Sequence, residues 1–354
     1  MEIKVIAGDI TKLQVDSIIV NLCEGEARPS GAAEAVDQAL GGAIAQLMAT
    51  GESKGKLNEI SMIHTLGKIE AARVVVVGLG KQPELTPDRI RGVAAEACRS
   101  LRKTGSPRVA TIAHGAGLAG IGPEMAAQAV VEGSILGVYA FRKHMTKEPE
   151  SGEIKELLIV EKEEGKISSL EGGRVRGQVL AEATNFARDM VNEPANYMTP
   201  GAMAQIAKDM AQSYGLEFSL LERQQMQEMG MGGLLGVSQG SQEPPKLIQL
   251  SYKGDATSSK TLGLIGKGIT FDSGGISIKP SEGLGEMKGD MAGGATVIAA
   301  MRAIAQLKPK MNVTALVPAT ENMLSGSALK PGDVLRAMNG KTIEIVSTDA
   351  EGRL

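Results

Sequence analysis

The chain has 354 residues, a formal net charge of −3 and 42% hydrophobic residues. That length suits two domains, and a charge so close to neutral argues against a nucleic-acid binder held by bulk charge. No apolar run approaches the roughly 20 residues of a membrane span, and the opening MEIKVIAGDI is strand-like, not a signal peptide.

Aromatic residues make up 2% with no tryptophan, against 18 methionines, so the cores are expected to be aliphatic and Met-filled. Cys23 and Cys98 fit neither a metal spacing nor a disulfide framework, which points to a reducing compartment.

Residues 1–150 alternate between strand and helix patterns. Short apolar runs at 3–6, 17–20, 73–77 and 109–113 predict strands, and helical patterns at 31–48, 87–103 and 123–139 predict helices, hence a layered α/β domain. VVVVGLGK, ending at Lys81, starts like a dinucleotide-binding turn. It lacks the third glycine, however, and Pro83 interrupts the helix start, so it reads as a buried parallel strand and turn. His64, His114 and His144 show no paired ligand spacing and are assigned structural or surface roles. The mixed charges from Glu161 to Lys166 mark a solvated boundary, dividing the chain into residues 1–160 and 161–354.

A helical pattern over residues 170–190 leads into Asn192-Glu193-Pro194. Pro194 and Pro200 break it, and Thr199-Pro200 can cap a following helix over 201–214. The segment VNEPANYMTP between them reads as a rigid connector or as a ligand-contacting loop. Residues 230–240 are glycine-rich, but no phosphate-loop GK[ST] follows them, and 247–252 predicts a strand.

The ionisable chemistry gathers in GLIGKGITFDSGGISIKPSEGLGEMKGDM, residues 263–291, and in the final STDAEGRL. Together they carry Lys267, Asp272, Lys279, Asp290, Asp349, Glu351 and Arg353. Glycines at a strand end permit positive φ and a close backbone approach to a ligand. A charged residue at such an end points into the crevice where α/β sheets place their sites. Asp349 and Glu351, two apart at the end of a strand predicted over 342–346, would share one face. Four carboxylates in one small site repel unless cations lie between them, and two carboxylate-bridged divalent metals would resolve that. With no histidine in either segment, oxygens would do the binding, joined by a lysine nitrogen only where a dication holds that amine neutral.

GKGITFDSGGISIKP, the GDM of residues 289–291, TDAEGRL and the upstream VNEPANYMTP stand in an order and spacing that resemble the leucyl aminopeptidases, the M17 family of dinuclear-metal peptidases. Ser347 stands where that family usually has asparagine. The resemblance implies an α/β fold: an N-terminal macro-like α/β domain that contributes to assembly and a C-terminal α/β metallopeptidase domain. Family members continue past the position of Leu354, so the catalytic domain is expected to be incomplete here.

The resemblance further implies an aminopeptidase that releases N-terminal, leucine-like residues from peptides. Lys267, Asp272, Asp290 and Glu351 would hold one metal. Asp272, Asp349 and Glu351 would hold a second, more exchangeable one, with Mn²⁺, Zn²⁺ and Mg²⁺ all open. Lys279 would stabilise the oxyanion, and Arg353 would hold a bicarbonate ion as general base. Met287, three before Asp290, would line the side-chain pocket, although it also reads as a plain core methionine. The expected partners are peptide substrates and further copies of the chain, as a hexamer, with no membrane and no nucleic acid.

Two other readings stand beside this one. A catalytically silent chain would act only through subunit or other contacts, DNA included. A different two-metal hydrolase, such as a phosphoesterase, is disfavoured by the absence of histidine ligands and by TDAEGRL.

Overall fold

The computed structural model describes residues 1–147 and 152–354, and the chain divides into two units, Met1–Glu182 and Ala183–Leu354. The first unit contains β1 (Glu2–Ala7), β2 (Ser17–Leu22), α1 (Gly31–Ala39), α2 (Ala43–Thr50), β3 (Ile60–His64), β4 (Arg73–Gly78), α3 (Pro87–Arg102), β5 (Arg108–Thr111), α4 (Pro123–Gly137) and β6 (Glu156–Glu161). After the charged residues, α5 (Ile167–Asn192) begins, and the division between the units falls within it.

The strands form one sheet in the order β1-β6-β5-β2-β4-β3, parallel except for β3. Alternate residues of β4 go to opposite faces. Val75 and Val77 pack with Ile90 and Val93 of α3 and Val130 of α4, whereas Val74 and Val76 pack with Val36 of α1 and Ile44 of α2. Burial on both faces is why VVVV reads as an unbroken apolar run.

The helix predicted over 31–48 is in fact two. Gly41 and Gly42 adopt left-handed φ values of 71° and 88°, which end α1. Asp37 Oδ1 then accepts the N–H groups of Ile44 and Ala45 at 2.7 and 3.0 Å and starts α2. The strand predicted over 109–113 stops at Thr111, and β3 and β6 carried no sequence expectation.

His114 is 1% exposed, between Thr111 Oγ1 at 2.9 Å and Asn21 Oδ1 at 3.0 Å. Burial lowers its pKa from 6.5 to about 4. Between those values the unfolded chain binds a proton that the folded chain refuses. This contribution is therefore complete above pH 6.5 and is lost as pH falls toward 4, at a cost of up to about 3 kcal/mol. Urea unfolding between pH 7 and pH 4.5 should show this loss, and His114→Gln should flatten the slope. An unchanged slope in the variant would remove His114 as its source.

The second unit contains α6 (Pro200–Tyr214), β7 (Glu217–Leu221), α7 (Arg223–Glu228), α8 (Gly232–Val237), β8 (Lys246–Lys253), β9 (Thr261–Ile265), β10 (Gly268–Asp272), α9 (Ala292–Leu307), β11 (Asn312–Asn322), β12 (Val334–Arg336) and β13 (Thr342–Glu344). Thr199 caps α6, its hydroxyl accepting the Ala202 N–H at 3.2 Å with Pro200 in the first turn.

The sheet runs β10-β11-β8-β7, with β9 also paired to β11, while β12 and β13 form a separate two-stranded ribbon. Met203 and Met210 of α6 and Ile298 and Met301 of α9 pack on Ile248, Leu250, Val313 and Val317. Methionines fill the buried centre of this core, and Phe186, Tyr214, Phe218 and Tyr252 pack at its margin. Among the described residues no helix is long and apolar enough to cross a membrane.

Candidate metal centre

The central strand pair of the second unit places the first carboxylate. β10 runs parallel to β11, and a register shift between Ile269 and Phe271 brings Asp272 opposite Asn322, both at strand ends. Lys267 lies in the short link between β9 and β10, both of which pair with β11. The DSGG loop then turns on Gly274 and Gly275, whose φ values are 83° and 67°. A Cβ on Gly275 would come within 2.9 Å of Asn322 Oδ1, and one on Gly274 within 2.4 Å of the Ser277 carbonyl, so both left-handed backbone and close approach require glycine here. Asp290 follows the 3-10 turn Leu284–Gly289, just ahead of α9.

One ligand oxygen each from Asp272, Asp290 and Glu351 lie within 4.8 Å of one another. Lys267 Nζ is 2.7 Å from both Asp290 Oδ2 and Glu351 Oε1, and Lys279 Nζ is 3.0 Å from Asp272 Oδ2 and paired with Asp349. Burial alone would lower the Lys267 amine, but its pairs with Asp290 and Glu351 outweigh this and leave its pKa raised. Lys279 behaves in the same way: burial opposes the charge, and Asp349 and Asp272 more than restore it. Burial pushes the Asp290 carboxyl above its ordinary value, against the pull of Lys267. Asp290 Oδ2 is buried, and its near neighbour is the Lys267 amine at 2.7 Å.

Asp349 and Glu351 do not share a strand face. β13 ends at Glu344, Asp349 lies in a turn, and Glu351 opens a 3-10 turn, Glu351–Arg353. The turn sends the two carboxylates to different amines, Asp349 to Lys279 and Glu351 to Lys267. A side-chain latch holds the turn on the DSGG loop. Thr348 Oγ1 donates to the Gly274 carbonyl at 2.6 Å and accepts the Ser277 N–H at 2.8 Å.

Arg353 is exposed on the last 3-10 turn and makes no ion pair among the described residues, and Met287 is half-buried on the 3-10 turn before Asp290. An apolar cleft of about 690 Å³, lined by Leu234, Val237, Leu247, Leu316 and Pro318, opens onto Lys267 and Glu351.

Sequence reasoning passed over Asn322. Its buried amide donates to Asp272 Oδ1 at 2.8 Å, to the Thr348 carbonyl at 3.0 Å and to Glu351 Oε2 at 3.3 Å. The available signal was a polar Glu321-Asn322 step closing a long apolar strand, which is where α/β sheets set their crevice.

Residues 185–354 match the catalytic domain of the cytosol aminopeptidase family, and residues 19–148 match that family's N-terminal domain. A probable cytosol aminopeptidase of Alkaliphilus oremlandii is 45% identical over 355 residues, spanning 100% of this chain and 71% of that relative. The chain belongs to the cytosol aminopeptidase family.

A second family member, the probable cytosol aminopeptidase of Geobacter sulfurreducens, is 40% identical over 354 residues, again 71% of its length. Among solved structures, a mutant of tomato leucine aminopeptidase superposes with a TM-score of 0.85 at 27% identity, covering 100% of this chain and 69% of that one. The bottromycin maturation enzyme BotP in complex with Mn superposes with a TM-score of 0.80 at 33% identity, covering 96% of this chain and 67% of BotP. The acidic cluster falls wholly within the part that matches the family's catalytic domain.

Proposed function

We propose that this chain is a metal-dependent aminopeptidase releasing N-terminal residues, leucine-like ones preferred, from peptides. The observation that carries the reading is the convergence of Asp272, Asp290 and Glu351 oxygens within 4.8 Å, in a catalytic domain of this family. The donor set suits divalent ions. Carboxylates outnumber the two amines between them, and Asp290 Oδ2 is buried with the Lys267 amine as its near neighbour.

Lys267, Asp272, Asp290 and Glu351 would hold one ion, and Asp272, Asp349 and Glu351 the other. Mn²⁺, Zn²⁺ and Mg²⁺ all suit oxygen-rich ligation, and the Mn named with BotP favours starting with Mn²⁺. Two such ions, when bound, polarise a scissile carbonyl and bring the pKa of water toward neutrality. A ligating Lys267 must first shed the amine proton that its pairs with Asp290 and Glu351 favour, so ion uptake releases protons and strengthens as pH rises.

Lys279 presents a fixed cation for charge developing on the carbonyl oxygen. The Arg353 guanidinium, with its planar fork, would hold a bicarbonate ion placed as general base. Met287 would border the pocket for the departing side chain. Assembly as a homo-hexamer in the cytoplasm belongs to the same reading and rests on the family resemblance.

The test is hydrolysis of a leucyl anilide by the purified chain of verified mass, with and without Mn²⁺. Turnover that depends on Mn²⁺ is expected. A folded chain that binds Mn²⁺ yet leaves the anilide intact would overturn the reading as an enzyme.

A further inference from the structure

Each of the two carboxylates assigned to both metal positions has one oxygen turned toward a lysine and the other toward Asn322. Asp272 presents Oδ2 to Lys279 at 3.0 Å and Oδ1 to Asn322 at 2.8 Å, where Oδ1 also accepts the Gly274 N–H at 2.9 Å. Glu351 presents Oε1 to Lys267 at 2.7 Å and Oε2 to Asn322 at 3.3 Å. Three oxygens surround the Asn322 nitrogen, counting the Thr348 carbonyl at 3.0 Å. Only the NH₂ end of an amide can face three acceptors, which settles its orientation.

Asn322 itself has little freedom. It is 5% exposed and ends β11 in register with Asp272, and its carbonyl accepts both the Ser273 N–H at 2.9 Å and the Ser273 hydroxyl at 2.8 Å.

We infer that Asn322 is a positioning residue for the metal centre: its amide ties the inner oxygens of Asp272 and Glu351 together and leaves their outer oxygens free for cations. A neutral amide suits this task. It draws two carboxylates together by hydrogen bonds without adding a positive charge that would compete with the ions. The inference rests on the two-metal reading given above.

The experiment titrates Mn²⁺ into the metal-free full chain by calorimetry and records the Mn²⁺ electron paramagnetic resonance spectrum, for wild type, Asn322→Leu and Asn322→Ser. Leucine keeps the branched shape, with somewhat more bulk, and removes both donors, whereas serine keeps one. Asn322→Leu should weaken Mn²⁺ binding by about 10–100-fold, the range typical for loss of a group that orients a ligand, and should change the spectral line shape. Asn322→Ser should recover part of the affinity.

Wild-type affinity and line shape in both variants would overturn the inference. So would a loss of affinity equal in the two variants and matched by a loss of metal-free thermal stability, since that pattern belongs to packing. A wild-type chain that takes up no Mn²⁺ overturns the two-metal reading and this inference together. Wild-type uptake with unaltered variants overturns this inference alone.

Discussion

Alanine at Asp272 or at Glu351 should abolish anilide hydrolysis and strip the protein of bound ions. Each carboxylate is buried and reaches more than one cationic or polar partner: Asp272 touches Lys279 and Asn322, and Glu351 touches Lys267 and Asn322. Each is assigned to both metal positions, so either substitution removes a ligand from two ions at once. Loss of a group that merely orients a metal ligand costs about 10–100-fold, and loss of the ligand itself should exceed that and leave no measurable turnover. Metal content by mass spectrometry and kcat on the leucyl anilide would decide the matter. A variant keeping both its ions and turnover within about 10-fold of wild type would exclude a bridging role for that carboxylate.

Alanine at Lys279 is expected to separate catalysis from ion binding. In the metal-free chain Asp349 and Asp272 more than offset its burial and raise its pKa, and a lysine amine is ordinarily protonated at neutral pH. Its charge is therefore in place before substrate arrives, which is what stabilisation of a developing oxyanion requires. Removing one such donor typically lowers kcat by about 10²–10³-fold. Ion content should hold or rise, since Asp272 and Asp349 lose a competing cation. An unchanged kcat would exclude Lys279 from that role, and a fall in ion content would recast it as structural support for the carboxylates.

The local geometry around the acidic cluster was legible in the chain because its motifs encode turns, caps and burial. Gly274 and Gly275 take up the left-handed backbone that a DSGG turn requires, and the Thr199-Pro200 step caps α6 where such a pair should. The valine run of β4 lies between two layers of helices, as an unbroken apolar strand demands. These features follow from φ/ψ preference, capping and burial pattern, all written into a few neighbouring residues.

Other features came from contacts that no short window contains. The break between α1 and α2 depends on Asp37 reaching forward to Ile44 and Ala45 as well as on Gly41-Gly42. The two-residue spacing of Asp349 and Glu351 predicts one strand face, yet β13 pairs with β12 in a two-stranded ribbon and ends at Glu344. The Thr348 latch onto Gly274 and Ser277 then bends the chain so that the two carboxylates part.

Asn322 carries no motif of its own. It becomes part of the centre only because the shifted β10–β11 register sets it beside Asp272. By itself the sequence determined where ionisable side chains gather around glycine turns, since side-chain type and turn geometry are local properties. Which oxygen faces which amine, and what holds it there, was decided by strand register and by contacts between residues some 50–80 positions apart, and only the folded chain supplies those.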